Sequence, residues 1–222
     1  MRHVAVVLVS LLGAALAMLL ASPPVAAFDP AKAASYADRN WNQCPPGEAS
    51  GCNVWAGECY RCFSADCTNF VSAAVHEAGY DFHGTIGDNT LHDWYSRGDG
   101  VGHVYVSDTW IVADDFYVFL MIDAPGGSLR SQHPGSDTHP LSGGNKGWVY
   151  SYDWVMNDPN DPTPIDHAAI QTSRGTDPNS GYYGDLVSQH TTNRHNAFWS
   201  LRPYNQYWRT TWIYVVQIDT AN

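Results

Sequence analysis

The chain has 222 residues, with 22 Asp and Glu against 11 Lys and Arg and a formal charge of −11 with histidine neutral. That balance argues against nucleic acid as a partner, since phosphate binding needs clustered cations, and against electrostatic retention on an acidic envelope. Nine Trp and thirteen Tyr supply either a core of large amphipathic side chains or a groove of flat faces for a peptide or glycan.

Residues 1–27 read as a signal peptide. Arg2 gives a short positive start, Val4 to Leu20 is almost wholly apolar, Pro23-Pro24 breaks any helix, and Val25-Ala26-Ala27 offers a small-residue cleavage site before Phe28. No cysteine precedes Cys44, which removes a lipid-anchored start, and no second apolar run reaches spanning length. The expectation is export, with residues 28–222 folding as one domain and no stable membrane insertion after cleavage. Oligomeric state leaves no signature.

Asp29 to Asn42 predicts a helix, with Asp29 as cap and Pro30 in its first position. Five cysteines follow within 24 residues: Cys44, Cys52, Cys59, Cys62 and Cys67. In an oxidising compartment an odd count leaves one thiol unpaired. Cys59 and Cys62 have Cys-x-x-Cys spacing, but Cys44 and Cys52 are too far apart to complete a zinc knuckle. Two short-range disulfides are expected, with Cys44–Cys52 and Cys59–Cys62 as the working pairing, although connectivity stays open at this level.

Cys67 is the expected free thiol because it begins a strong helical pattern. From Asp66 to Gly79, apolar residues fall at 70, 71, 74, 75 and 78, one face of a 3.6-residue period that Gly79 ends. Asp66 is the expected N-cap. The first turn places Cys67 near unpaired backbone N–H groups and the positive end of the helix dipole, which favours a thiolate. The same N–H groups are expected to hold an oxyanion. A buried structural cysteine is the simpler reading, but a thiol kept free after export risks oxidation without structural gain.

From Asp81 to Lys146 the chain is rich in Gly, Asp and His, with one helix predicted from Asp108 through Leu120. Gly98 to Gly102 and Pro134 to Gly147 read as surface loops. After Gly147 the period changes to two, and strands are predicted at Trp148–Trp154, Asp166–Thr172, Asp185–Thr191 and Thr211–Ile218. Asn157–Pro164 and Arg174–Gly184 read as connectors. Helices followed by strands predict an α+β domain with an antiparallel sheet.

A thiol nucleophile needs an imidazole beside it and a polar group to orient that ring. His76 lies too far along the Cys67 helix. His83, His92, His103, His133 and His139 fall in the loop-rich middle, where a solvated ring is the default. His167 differs because it begins a run fit for a central strand, Asp166-His167-Ala168-Ala169-Ile170, and His190 ends the next predicted strand. Neighbouring antiparallel strands can present their side chains on one face, so His190 is expected to orient His167.

Cys67 in Asp-Cys-Thr-Asn-Phe-Val-Ser, His167 in Asp-His-Ala-Ala-Ile and Gln-His-Thr at 189–191 resemble the putative amidase domain family, a papain-like branch related to the NlpC/P60 and CHAP peptidoglycan hydrolases. Tyr36-Ala37, Tyr152-Asp153-Trp154 and Phe198-Trp199-Ser200-Leu201-Arg202 are also similar, so the likeness runs from Ala31 to Asn205. It departs at Gly147-Trp148, where the family often has Gly-Asp, and in the cysteine-rich stretch before Cys67.

The resemblance implies a papain-like α+β fold, with the nucleophile helix packed on the sheet. It implies Cys67 as nucleophile, His167 as base and His190 as the third group, with Gln189 or Asn193 as alternatives for that place. It further implies a hydrolase without a cofactor, acting on a peptide or cell-wall amide. Two other readings compete: an inactive wall- or peptide-binding module on the same fold, and a zinc hydrolase. The second lacks a His-Glu-x-x-His run and ligand-like spacing.

Overall fold

The computed structural model describes residues 27–43, 62–99, 103–122, 126–141, 145–156, 158–161 and 164–219. The expected leader and the segment holding Cys44, Cys52 and Cys59 lie outside the described residues. Among those described, no helix is long and apolar enough to cross a membrane.

Helix α1 spans Pro30–Asn40. Asp29 caps it as expected, its Oδ1 accepting from the N–H groups of Ala31 at 3.0 Å and Lys32 at 3.3 Å. Helix α2 spans Cys67–Glu77 and is buried from Cys67 through Val75, on its polar side as well as its apolar stripe. It packs against α1 and the central strand that begins at His167. The polar positions are tolerated because indoles satisfy them: Trp94 Nε1 donates to Ser72 Oγ at 3.1 Å and Trp110 Nε1 to Asn69 Oδ1 at 2.8 Å.

The helix expected from Asp108 to Leu120 is two. α3 covers Asp108–Ile111 and α4 covers Ala113–Ile122, because Val112 between them is extended, with ψ 127°. Before them, β1 (Ser96–Gly98) and β2 (Val104–Val106) make a small antiparallel pair.

The main sheet has six antiparallel strands: β3 (Gly127–Pro134), β4 (Val149–Asp153), β5 (His167–Thr176), β6 (Tyr183–Gln189), β7 (Arg194–Phe198) and β8 (Trp212–Ile218), in spatial order β3-β8-β4-β5-β6-β7. Four coincide with the predicted strands to within a few residues. β5 and β6 run further than expected, into both ends of Arg174–Gly184, and six residues separate them. β3 and β7, where no strand is predicted, are the two edges. Each pairs on one side only; Arg130 and Gln132 of β3 are exposed, and β7 opens with three half-buried polar residues, Arg194 to Asn196, which hides the alternation.

Both faces of the sheet are covered. On one, Val149, Ala168, Ile170, Val216 and Ile218 pack with the helices and with Trp94 and Trp110. On the other, Tyr150, Tyr152, Ala169, Val187, Ile213 and Val215 pack with Phe198, Trp199 and Leu201. Alternate residues of one strand therefore belong to different cores, which makes β4 and the start of β5 wholly buried. Gly147, at φ +80°, leads into β4 where a Cβ would stand 2.5 Å from the Pro30 carbonyl oxygen, so the α1–β4 junction requires glycine.

Candidate active site

The first residue of α2, the first of β5 and the last of β6 converge on one cavity of about 410 Å³, lined by Cys67, Trp154, His167, Gln189 and Thr191 among others. Cys67 is a free thiol and only 6% exposed. Cys62 is disulfide-bonded, and the pairing expected for it falls on residues outside those described.

Burial pushes the Cys67 thiol up, but it is outweighed by the charge and hydrogen bond of His167, a backbone hydrogen bond from Ala168 and the Thr68 hydroxyl. Together they bring the thiol down from 9.0 to about 6. The Thr68 Oγ1 lies 3.7 Å from Sγ.

His167 Nε2 is 3.0 Å from Gln189 Oε1. The amide's orientation is set at its other end, where Gln189 Nε2 donates to the Thr192 carbonyl at 3.1 Å. Oε1 is therefore the acceptor, His167 Nε2 carries the proton, and Nδ1 is left as the nitrogen that can accept one. Trp154 stacks on the His167 ring, with centroids 5.3 Å apart and planes at 23°. The cavity walls also carry Asp166 and Arg194; the Arg194 guanidinium carbon lies 4.5 Å from the Tyr204 ring centroid.

The structure brings Cys67 and His167 together but does not bring His190 to them. His190 Nδ1 is 2.6 Å from Asp66 Oδ2, its Nε2 is 2.9 Å from the Asn40 carbonyl oxygen, and its ring stacks on Phe70 at 4.0 Å. The reason is strand alternation. Ile170 pairs with Ser188, so continuing that register puts residue 189 diagonal to residue 167 on one face and residue 190 on the other. Gln189, the alternative, occupies the position expected for His190.

The helix start is also arranged differently from expectation. Asp66 stands at the N-cap position, but its side chain makes no capping bond. Its Oδ1 instead accepts from Phe63 N and Asn69 Nδ2. The cap comes from a distant residue: Thr191 Oγ1 accepts from Asp66 N at 2.9 Å and Cys67 N at 3.1 Å. The Cys67 N–H expected to hold an oxyanion is thus already bonded.

Sequence reasoning did not identify Thr191 or Trp154 as site residues. Both stood in quoted family motifs, Trp154 in Tyr-Asp-Trp and Thr191 in Gln-His-Thr, but with no role attached to either. Of the aromatic residues, Trp94, Trp110 and Trp199 are fully buried, whereas Trp154, Tyr204 and Tyr207 line the cavity, so the aromatic residues divide between core and cavity. Among the described residues no group of three His, Cys, Asp or Glu side chains gathers as a metal site would.

Fold and site define an α+β domain that brings a thiol and an imidazole into one cavity at the start of a buried helix. The sequence matches the putative amidase domain over residues 27–216, and the chain belongs to that family, whose description points to hydrolysis of an amide bond. No curated protein and no solved structure matches the chain.

Proposed function

We propose that the protein is an exported amidase or peptidase of the papain-like type, with Cys67 as nucleophile, His167 as base and Gln189 as the residue that orients the ring. The observation that carries this reading is the buried thiol held at about 6 beside His167 at the start of a helix. His190 is left out of the chemistry because both its nitrogens are engaged elsewhere. Export rests on the pattern of residues 1–27.

In this mechanism the thiolate attacks the amide carbon, forming the S–C bond while the carbonyl electron pair moves to oxygen. The C–N bond then breaks, and the leaving amine takes the proton that His167 Nδ1 received from the Cys67 thiol. Water attacks the thioester and gives a proton to His167, and the acid leaves with Cys67 again a thiolate beside the imidazolium. The substrate class is assigned by likeness to the NlpC/P60 and CHAP hydrolases: an amide in a peptide or in peptidoglycan.

The test is incubation with purified wall fragments and with peptides, reading new amines and their masses, with Cys67→Ala as control. Loss of all turnover in the variant, with its fold intact, is expected. Undiminished turnover overturns the assignment.

A further inference from the structure

The Thr191 hydroxyl is the least expected feature of the site. A hydroxyl has two lone pairs and one proton. Here Oγ1 accepts from two backbone N–H groups, those of Asp66 and Cys67, so its acceptor capacity is spent. What remains is the O–H proton. Two donors pulling on the same oxygen polarise that bond and make it a better donor. The donors are the N–H groups of the residue before α2 and of its first residue, so the hydroxyl relays the positive end of the helix one atom further out. Thr191 is exposed and lines the same cavity as Cys67 and His167.

The backbone at this position is costly. Thr191 has φ +76°, a left-handed conformation that a β-branched residue rarely adopts. Such strain persists where the surroundings over-determine it. It sits between two groups the site uses: the Gln189 side chain, which holds His167, and the Thr192 backbone carbonyl, which holds Gln189.

We propose that the Thr191 O–H is the side-chain donor that holds the oxyanion when Cys67 is acylated; the inference rests on Cys67 being the nucleophile. As the S–C bond forms and the carbonyl pair moves to oxygen, that oxygen accepts a hydrogen bond from Thr191. No proton leaves the hydroxyl, and the bond is given up when the carbonyl re-forms. The helix N–H groups act through Thr191 rather than on the oxyanion directly. The competing role is a plug, in which Thr191 caps the helix and must swing away before Cys67 N–H can work.

Two probes of different geometry separate these roles in the full chain. p-Nitrophenyl acetate acylates a thiolate through a tetrahedral oxyanion, read as a burst of p-nitrophenolate. Iodoacetamide alkylates it by displacement at a saturated carbon, where no oxyanion forms. Thr191→Val keeps the shape and removes the hydroxyl; Thr191→Ser keeps the hydroxyl. Thr191→Val is expected to slow acylation of Cys67 about a hundredfold, the usual cost of one oxyanion donor, and to leave alkylation within about twofold of wild type. Thr191→Ser is expected to be acylated at close to the wild-type rate.

Acylation of Thr191→Val at the wild-type rate or faster overturns the proposal in favour of the cap or plug. So does a fall in alkylation matching the fall in acylation, because the effect then lies on the thiol. Should Thr191→Val fail to fold by circular dichroism, Thr191→Ala read with the same two probes decides by the same criteria. A wild-type protein that neither probe modifies at Cys67 fails differently: it removes the nucleophile itself, and this inference with it.

Discussion

His167 Nε2 stands 3.0 Å from Gln189 Oε1, while the neighbouring residue, His190, turns to the opposite face of the sheet and meets Asp66 at 2.6 Å. Two adjacent side chains, one ending β6 and one just beyond it, thus belong to different layers of the molecule, one against the cavity and one beneath the helix start.

The first consequence concerns Gln189. Without its carbonyl oxygen the His167 ring keeps its stack on Trp154 but loses the bond that fixes its rotation and tautomer. Gln189→Ala is expected to lower kcat by about a hundredfold, the scale of a small misplacement of a reacting group, with KM little changed. Gln189→Glu, which still offers an oxygen to Nε2, is expected to recover part of that loss. Steady-state hydrolysis of whichever amide the wild type cleaves checks both, and an unimpaired Gln189→Ala removes Gln189 from the mechanism.

His190 should behave as a stability residue. Its side chain is 4% and that of Asp66 3% exposed, so deleting the ring leaves a buried carboxylate oxygen without its partner. His190→Ala is expected to destabilise the fold by about 3 kcal/mol in urea denaturation. Below its melting temperature, Cys67 should still be alkylated by iodoacetamide with the wild-type pH midpoint. A stable His190→Ala protein whose alkylation midpoint has moved would return His190 to the chemistry.

The lowered thiol predicts the pH profile directly. Below about 6 Cys67 keeps its proton and alkylates slowly; above it the thiolate dominates and the rate reaches a plateau. The iodoacetamide rate should therefore rise with a midpoint near 6 in the folded protein, and His167→Ala should move that midpoint upward, because burial then acts with little to oppose it. A wild-type midpoint in the ordinary thiol range near 8.5 is the contrary result.

Asp177 links acid stability to the cavity wall. It is fully buried. Burial pushes its carboxyl up, but hydrogen bonds from the Tyr204 hydroxyl, Ser180, Asn179 and Phe198 hold it below the usual 3.8. A carboxyl lowered in the folded state contributes stability that is complete above its unfolded value and lost as pH falls through the folded one. Melting temperatures should show wild type losing stability below pH 3.8, whereas Asp177→Asn starts lower at neutral pH and changes less on acidification. Parallel curves for the two proteins contradict this.

Much of the frame was legible because local rules act strongly there. Asp29-Pro30 marks a helix start by capping and fixed φ, and the α1 cap follows it. The apolar spacing after Cys67 and the β-rich runs after Gly147 reflect periods that burial enforces in any context. The edge strands β3 and β7 were illegible for the same reason: with one side open to water their polar residues blur the alternation. The expected helix breaks at Val112, whose extended backbone separates α3 from α4.

The amino-acid sequence by itself determined that one thiol opens a helix, that one imidazole opens a central strand, and that the chain carries the amidase-domain pattern, since each is written within a few consecutive residues. Only the tertiary structure decided which neighbour holds His167 and what meets the Cys67 N–H. Those choices depend on the register of β6 against β5 and on a strained turn at Thr191, which joins positions 124 residues apart. A shift of one residue in that register would exchange Gln189 for His190, and no local signal specifies it.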